Sequence, residues 1–176
     1  MAFRNVSILI LLLLLFLNNT CSITDSRQSV FSQNSLLFPD IYSRRIVLPS
    51  TLIQLNTVTT KQSDYKLVTS VNTDCNSCIE TFLTWQSSER LNSLVKYDII
   101  FIAIGSRSAL IDDFVKDNSL LKFRILLDSS GEYLAKNNLY GYHKKSIVLD
   151  AENRIIYVGD PISDDKAFLD LQIISE

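Results

Sequence analysis

From about residue 44 onward, short apolar runs alternate with longer segments in which apolar residues recur every three or four positions. Ile46-Val47-Leu48 before Pro49, and Leu52-Ile53 after it, are short runs bounded by turn residues and predict two edge strands. Tyr65 to Val71 has strand composition and length. Asp98 to Ile104 is almost uninterruptedly apolar, as a strand buried on both faces would be. Between them lies a helix-length segment whose apolar face is Cys78, Ile79, Phe82, Leu83, Trp85, Leu91 and Leu94, with an irregularity around residue 88. The alternation continues with a helix over Arg107 to Lys116, a strand over Phe123 to Leu127 and a short helix over Ser130 to Asn137. The pattern then changes. Ser146 to Asp150 and Arg154 to Gly159 predict a hairpin joined by Asp150-Ala151-Glu152-Asn153, and a last helix runs from Asp164 to Ile173. Strands alternating with helices, closed by a hairpin and a helix, imply an α/β fold with a mixed sheet covered on both faces.

The start of the chain follows a different rule. Arg4 precedes Ile8 to Leu17, ten residues that are all Ile, Leu or Phe. That run is too short to span a bilayer, which takes about 18 apolar residues or more, and has the length of a secretory signal core. Residues 1–20 are therefore expected to be a signal peptide. Cys21 just beyond it resembles the lipid-attachment cysteine of bacterial lipoproteins, although Leu17 sits one place early and Asn18 and Asn19 replace the usual small residues. The alternatives are an ordinary cleaved signal that leaves Cys21 as a spare thiol, and an uncleaved anchor. Residues 21–43, rich in serine and poor in apolar residues, read as a flexible tether, which leaves 44–176 as one domain.

Composition narrows the function. The chain has 176 residues, 47% apolar and 20% charged, which excludes collagen-like, coiled-coil and wholly disordered classes. Seventeen basic against nineteen acidic residues give a net charge of −2, and nothing here favours nucleic acid as a partner. There are three cysteines and one histidine, too few within the domain for a closed zinc site of four cysteines or of two cysteines and two histidines. No metal or cofactor is expected.

Cys75-Asn76-Ser77-Cys78 carries the chemistry, because it falls where a predicted strand gives way to a predicted helix. Two cysteines three apart at a helix start lie within disulfide reach, and the helix N-terminus favours the thiolate of the first. Cys75 would attack a partner disulfide, and Cys78 would resolve the mixed disulfide. A permanently closed disulfide across so small a loop would constrain the unfolded chain little.

The strand, the Cys-Asn-Ser-Cys turn, the helix, the second strand–helix unit and the final hairpin and helix resemble the thioredoxin fold. Residues 44 to 175 are most similar to its exported redoxin or TlpA-like branch, small bacterial lipoproteins of the Bacteroidota type among them. The similarity is densest in RRIVLP, DYKLVTSVNTDCNSCIETFLTW and SIVLDAENRIIYVGDPISDDKAF. The resemblance implies a three-layer α/β/α sandwich, Cys75 as nucleophile and Cys78 as resolving cysteine. It also implies envelope protein thiols and disulfides as partners, together with a further redox partner, and location in the envelope or periplasm on a lipid anchor.

The departures are specific. Asp74 stands where an aromatic residue is usual, and a carboxylate beside Cys75 disfavours its thiolate. Asn76-Ser77 replaces Gly-Pro. Lys144 stands about where the family has a cis-proline, and a non-proline residue disfavours the cis bond by about 2.5 to 4 kcal/mol. His143, Lys144 and Lys145 form a basic cluster that could offset Asp74, or be a solvated loop. Two other readings follow: a catalytically degenerate adaptor or binding lipoprotein of the same fold, and a thiol peroxidase. The second lacks its motif, since Asn72 and Val68 occupy the Thr and Pro places counted back from Cys75.

Overall fold

In the computed structural model, the described residues are 26–58, 63–74, 76–106, 109–118, 121–142 and 145–176, without the side chains of 76–79 and 109–110. The described elements, in chain order, are a helix α1 over 26–37, β1 (Ile53–Gln54), β2 (Tyr65–Asn72), α2 (Asn76–Ser87), α3 (Arg90–Ser93), β3 (Tyr97–Ile104) and α4 (Ala109–Asp117), followed by β4 (Arg124–Asp128), α5 (Glu132–Asn137), a 3₁₀ turn Tyr140–Tyr142, β5 (Ser146–Leu149), β6 (Ile155–Gly159) and α6 (Asp165–Ser175). Six strands form one sheet in the order β1-β4-β3-β2-β5-β6. β2, β3 and β4 run parallel, while β1, β5 and β6 pair antiparallel to their neighbours. This is the α/β fold with a mixed sheet that the sequence predicts.

Strand alternation divides the core into two layers. Leu67 and Val71 of β2, Phe101 and Ala103 of β3, and Ile125 and Leu127 of β4 point to one side. There they meet Phe82 and Trp85 of α2, Ile111 and Phe114 of α4 and Leu171 and Ile174 of α6. Rings dominate this layer: Phe101 lies 4.6 Å from Phe123 and 5.1 Å from both Phe82 and Trp85, centroid to centroid. Val68, Ile100, Ile102 and Leu126 point to the other side, under Tyr133 and Leu134 of α5, Leu139, Ile41 and Ile46. The predicted irregularity near residue 88 is where α2 stops and α3 begins. There the Ser87 hydroxyl donates to the Leu83 carbonyl at 2.8 Å, a local bond that competes with the helix ladder.

Two expectations are corrected. Residues 26–43 are not a tether: α1 and the turn after it pack along the outer edge of β6. Asn34, 4% exposed, donates from Nδ2 to the Val158 carbonyl at 2.9 Å and accepts the Val158 N–H at 2.8 Å. The Ser43 N–H and Arg44 carbonyl then pair with Ile155, both at 2.8 Å. Val30 enters the first core layer and Ile41 the second, so the segment wraps the edge. Residues 21–25, Cys21 included, lie outside the described residues, as does the apolar run 8–17. The second correction concerns Ile46-Val47-Leu48, which is not a strand. Val47 donates its N–H to Asn137 Oδ1 and its carbonyl accepts from Asn137 Nδ2, both at 2.8 Å, so a side-chain amide takes the bonds a strand partner would.

The opposite edge is finished in the same way. Asn56 donates to the Phe123 carbonyl at 2.9 Å and accepts the Ile125 N–H at 2.7 Å, continuing the pairing of β1 with β4 beyond Gln54. Among the described residues no helix is long and apolar enough to cross a membrane.

Candidate functional site

The parallel strands β2, β3 and β4 all end at the same side of the molecule. In sheets of this kind, ligands meet the loops that follow the carboxyl ends of the strands. The register Asn72↔Ile104 and Ile104↔Asp128 sets these three ends level. β2 stops at Asn72 and α2 starts at Asn76, so Cys75 immediately precedes the helix in sequence and Cys78 falls in its first turn. Cys75 itself and the side chain of Cys78 lie outside the described residues, as do His143 and Lys144.

What is described is the frame that holds this turn. Thr73, 2% exposed, donates its N–H to the Ile104 carbonyl at 2.8 Å, carrying the β2–β3 pairing one residue past the strand. The Asn72 side chain accepts the Asp74 N–H on Oδ1 at 2.8 Å, a local turn of the kind Asn favours at the end of an element. Asp74 turns toward the neighbouring strand end. Its carboxylate reaches across to the loop after β3 and accepts the Ser106 N–H at 3.0 Å. The neighbour makes this approach possible: Gly105 has φ of +127°, and a Cβ there would lie 2.7 to 2.8 Å from the Asp74 carboxylate atoms. Glycine is required both by the backbone conformation and by the contact. The Gly105 N–H in turn donates to the Asp128 carbonyl at 3.2 Å, linking the third strand end to the first two.

Asp128 shows the other use of a carboxylate at a strand end. It is 1% exposed, and its two oxygens accept the N–H groups of Glu132 at 3.2 Å and Tyr133 at 2.8 Å and the Ser130 hydroxyl at 3.1 Å. Asp128 thus satisfies the first turn of α5. The first turn of α2 contains no acidic residue, and the carboxylate that precedes it is bonded elsewhere.

On the second-layer side, a cavity of about 280 Å³ opens beside these strand ends. It is lined by Ser70 and Asn72 of β2, Ile104 of β3, Leu134 of α5 and Tyr140 of the 3₁₀ turn. β5 is tied to β2 by a buried hydroxyl pair, Thr69 Oγ1 to Ser146 Oγ at 2.7 Å, so the segment ahead of Ser146 leaves the sheet near this end. Lys145, the third member of the basic cluster, places its ammonium 5.9 Å from the ring centroid of Phe38, on the segment that follows α1. Among the described residues no group of three or more His, Cys, Asp or Glu side chains could hold a metal ion.

Of the predicted site residues, the structure thus describes Asp74 in full and gives Cys78 its place in α2. Sequence reasoning missed Asn72, Gly105 and Ser106, which fix the direction of Asp74. It also missed Ser70, Ile104, Leu134 and Tyr140. The one signal for them is positional, since each lies at or beside a strand end.

No protein-family model and no curated protein sequence matches the chain. Among solved structures it is similar to StoA from Bacillus subtilis, at 17% identity over 62% of this chain and 87% of that one, with a TM-score of 0.45. It is also similar to an uncharacterized thioredoxin-like protein from Porphyromonas gingivalis, at 18% identity over 76% and 92%, with a TM-score of 0.49. A secreted thiol-disulfide isomerase from Corynebacterium glutamicum matches at 17% identity over 78% and 95%, also with a TM-score of 0.49. The fold assignment rests on the strand order and register given above.

Proposed function

We propose that this chain is an exported thiol–disulfide oxidoreductase that acts on protein disulfides of the cell envelope, held at a membrane by a lipid on Cys21. The observation that carries the reading is the position of Cys75-Asn76-Ser77-Cys78 between the end of β2 at Asn72 and the first turn of α2. A helix N-terminus presents unpaired N–H groups and partial positive charge to the residue before it, which stabilises a thiolate. The Asp74 carboxylate accepts the Ser106 N–H of the neighbouring loop, and the first turn of α2 carries no acidic residue of its own; both support the same reading.

In the reducing direction the Cys75 thiolate attacks one sulfur of a partner disulfide. A Cys75–partner disulfide forms, and the other partner sulfur leaves as a thiolate and takes up a proton. The Cys78 thiolate then attacks the Cys75 sulfur, forming Cys75–Cys78 and releasing the second partner thiol. Two electrons and two protons pass from the pair to the partner, and a dithiol reductant restores the pair. Run backwards, the same steps oxidise a partner dithiol.

Four measurements test the proposal. The wild-type pair should equilibrate with glutathione, and reduction of a protein disulfide should fall to the uncatalysed rate in Cys75→Ser. Cys78→Ser should accumulate a mixed disulfide with its partner. Palmitate incorporation in the native host should disappear in Cys21→Ala. Cysteines that stay unreactive in the folded protein would leave the adaptor reading in its place.

A further inference from the structure

Asp74 is held in place from three sides. Its N–H goes to Asn72 Oδ1 at 2.8 Å, and the Thr73 N–H before it goes to the Ile104 carbonyl at 2.8 Å, so its backbone is fixed to the ends of β2 and β3. Its carboxylate accepts the Ser106 N–H at 3.0 Å. The residue before Ser106 is a glycine at φ of +127°, where a Cβ would lie 2.7 Å from Oδ1 and 2.8 Å from Cγ and Oδ2. A side chain at position 105 would displace the carboxylate. Asp74 is nonetheless exposed, and an exposed carboxylate, solvated by water, needs no such seat for its own stability.

A seated charge acts from one point, and Asp74 is bonded to Cys75 through a single peptide link. Adjacent Cα atoms are about 3.8 Å apart, so the carboxylate lies within about 10 Å of the Cys75 sulfur in any rotamer, no more than a Debye length at moderate salt. At that range a negative charge disfavours a thiolate. The amino end of α2 favours it, so the two effects oppose each other at one sulfur. The other described carboxylates near the turn are Asp128, spent on Ser130 and the first turn of α5, and Glu80, exposed beyond the first turn of α2. A strongly stabilised thiolate lowers the free energy of the reduced pair and makes a disulfide protein an oxidant. A fixed carboxylate takes away part of that stabilisation and leaves the uncharged disulfide as it is.

We propose that Asp74, seated on the Ser106 N–H against the bare backbone of Gly105, acts through Cys75 to set the poise of the pair: its charge keeps the thiol from becoming strongly acidic and favours reduction of partner disulfides over their formation. The inference rests on the thiol–disulfide reading above. In that direction the Cys75–Cys78 dithiol gives two electrons and two protons to the partner disulfide, closes to its own disulfide and is restored by a dithiol reductant.

The test follows alkylation of Cys75 by iodoacetamide against pH, in the full mature protein carrying Cys78→Ala, with and without Asp74→Asn. Mass spectrometry of the peptide that holds Cys75 reads the rate. Asparagine keeps an oxygen for the Ser106 N–H and loses the charge. At low salt the midpoint should fall by about half a pH unit or more in Asp74→Asn, about a threefold rise in the acid constant. The difference should shrink at about 1 M salt, where the Debye length is about 3 Å. With both cysteines present, Asp74→Asn should shift the equilibrium with glutathione toward the reduced pair by about twofold or more at pH 9. Equal midpoints at low salt would overturn the inference, as neutralisation of the carboxylate by Arg107, His143 or Lys144 would produce. A midpoint difference that about 1 M salt leaves unchanged would overturn it too, and would reduce Asp74 to a staple between two loops. So would a glutathione equilibrium that stays put or moves the other way. Failure of Cys75 to react at any pH in the folded protein would instead strike at the oxidoreductase reading.

Discussion

The lateral edges of the sheet and the carboxyl end of its parallel strands use the same residue types to opposite effect. At the edges, Asn34 on Val158 and Asn56 on Phe123 and Ile125 each spend both a donor and an acceptor on strand backbone. An amide bonded in this way satisfies groups that would otherwise offer a template to another chain, which closes the edge. At the strand ends, Asn72 spends only its acceptor within its own turn, and Asp74 reaches into the neighbouring loop. The cavity opens at this end. The difference teaches what each site asks of the same residue types: at its sides this fold closes strand backbone, and at the strand ends ahead of the cysteine pair its polar side chains shape turns and join neighbouring loops.

The sharpest way to break the comparison is to reopen an edge. Asn34→Leu keeps the size of the side chain and leaves the N–H and carbonyl of Val158 without their partner. An unsatisfied buried group costs about 1 to 3 kcal/mol, so the loss of both should lower the unfolding free energy by about 2 to 6 kcal/mol. Denaturant unfolding followed by circular dichroism measures it, and light scattering should show self-association through the exposed strand. A cost under about 0.5 kcal/mol, the size of an ordinary surface substitution, would mean that α1 is not an edge lock.

The same asparagines explain why part of the fold was legible in the sequence and part was not. Asp98 to Ile104 could be read as a strand because six apolar residues after one aspartate leave no other reading. The inward stripe of α1 and its following turn is Val30, Asn34, Phe38 and Ile41, and a polar residue at its centre hides the helical period. Ile46-Val47-Leu48 has strand composition, but the partner for Val47 is a side chain 90 residues away. The site divides likewise. The strand–helix junction on which the cysteine pair was proposed is a local pattern, and the structure has β2 end at Asn72 and α2 begin at Asn76. The direction of Asp74 was not legible, since it depends on Ser106, 32 positions later, and on the positive φ of Gly105. The cavity joins Ser70 to Tyr140 across the sheet, and no periodicity in the sequence relates them.

A second substitution sharpens the contrast at the strand ends. Gly105→Ala sets a Cβ within 2.8 Å of the Asp74 carboxylate and forces alanine into φ near +127°. The expected cost is about 1 to 3 kcal/mol, the scale of a residue held in a sparsely populated backbone region. If the carboxylate contact is part of the cause, Asp74→Ala should relieve some of it, and a double-mutant cycle should show coupling of at least about 0.5 kcal/mol. Strict additivity would place the whole cost in the backbone and leave Gly105 without a role in positioning Asp74.

The smallest expected effect separates the body of the sheet from its reactive end by pH. Burial raises the phenol pKa of Tyr97, of Tyr157 and of Tyr133 above the ordinary value of 10, and in Tyr157 the Asp170 carboxylate adds to the effect. Below pH 10 both the folded and unfolded chains keep these protons, so the stability they contribute is fully present. Above pH 10 the unfolded chain releases them first and therefore binds fewer protons, and stability falls as pH rises toward the folded values. One such group contributes a loss of about 1.4 kcal/mol by pH 11. Tyr133→Phe keeps the packing of the buried ring and removes the titrating hydroxyl. Its unfolding free energy relative to wild type should therefore improve by about that amount between pH 8 and pH 11. Thiol reactivity at Cys75, governed by the end of β2 and the start of α2, should follow the same pH profile in both proteins. A shift of that profile in Tyr133→Phe would show that the second core layer and the reactive turn are coupled, and the division between a closed body and an open end would have to be withdrawn.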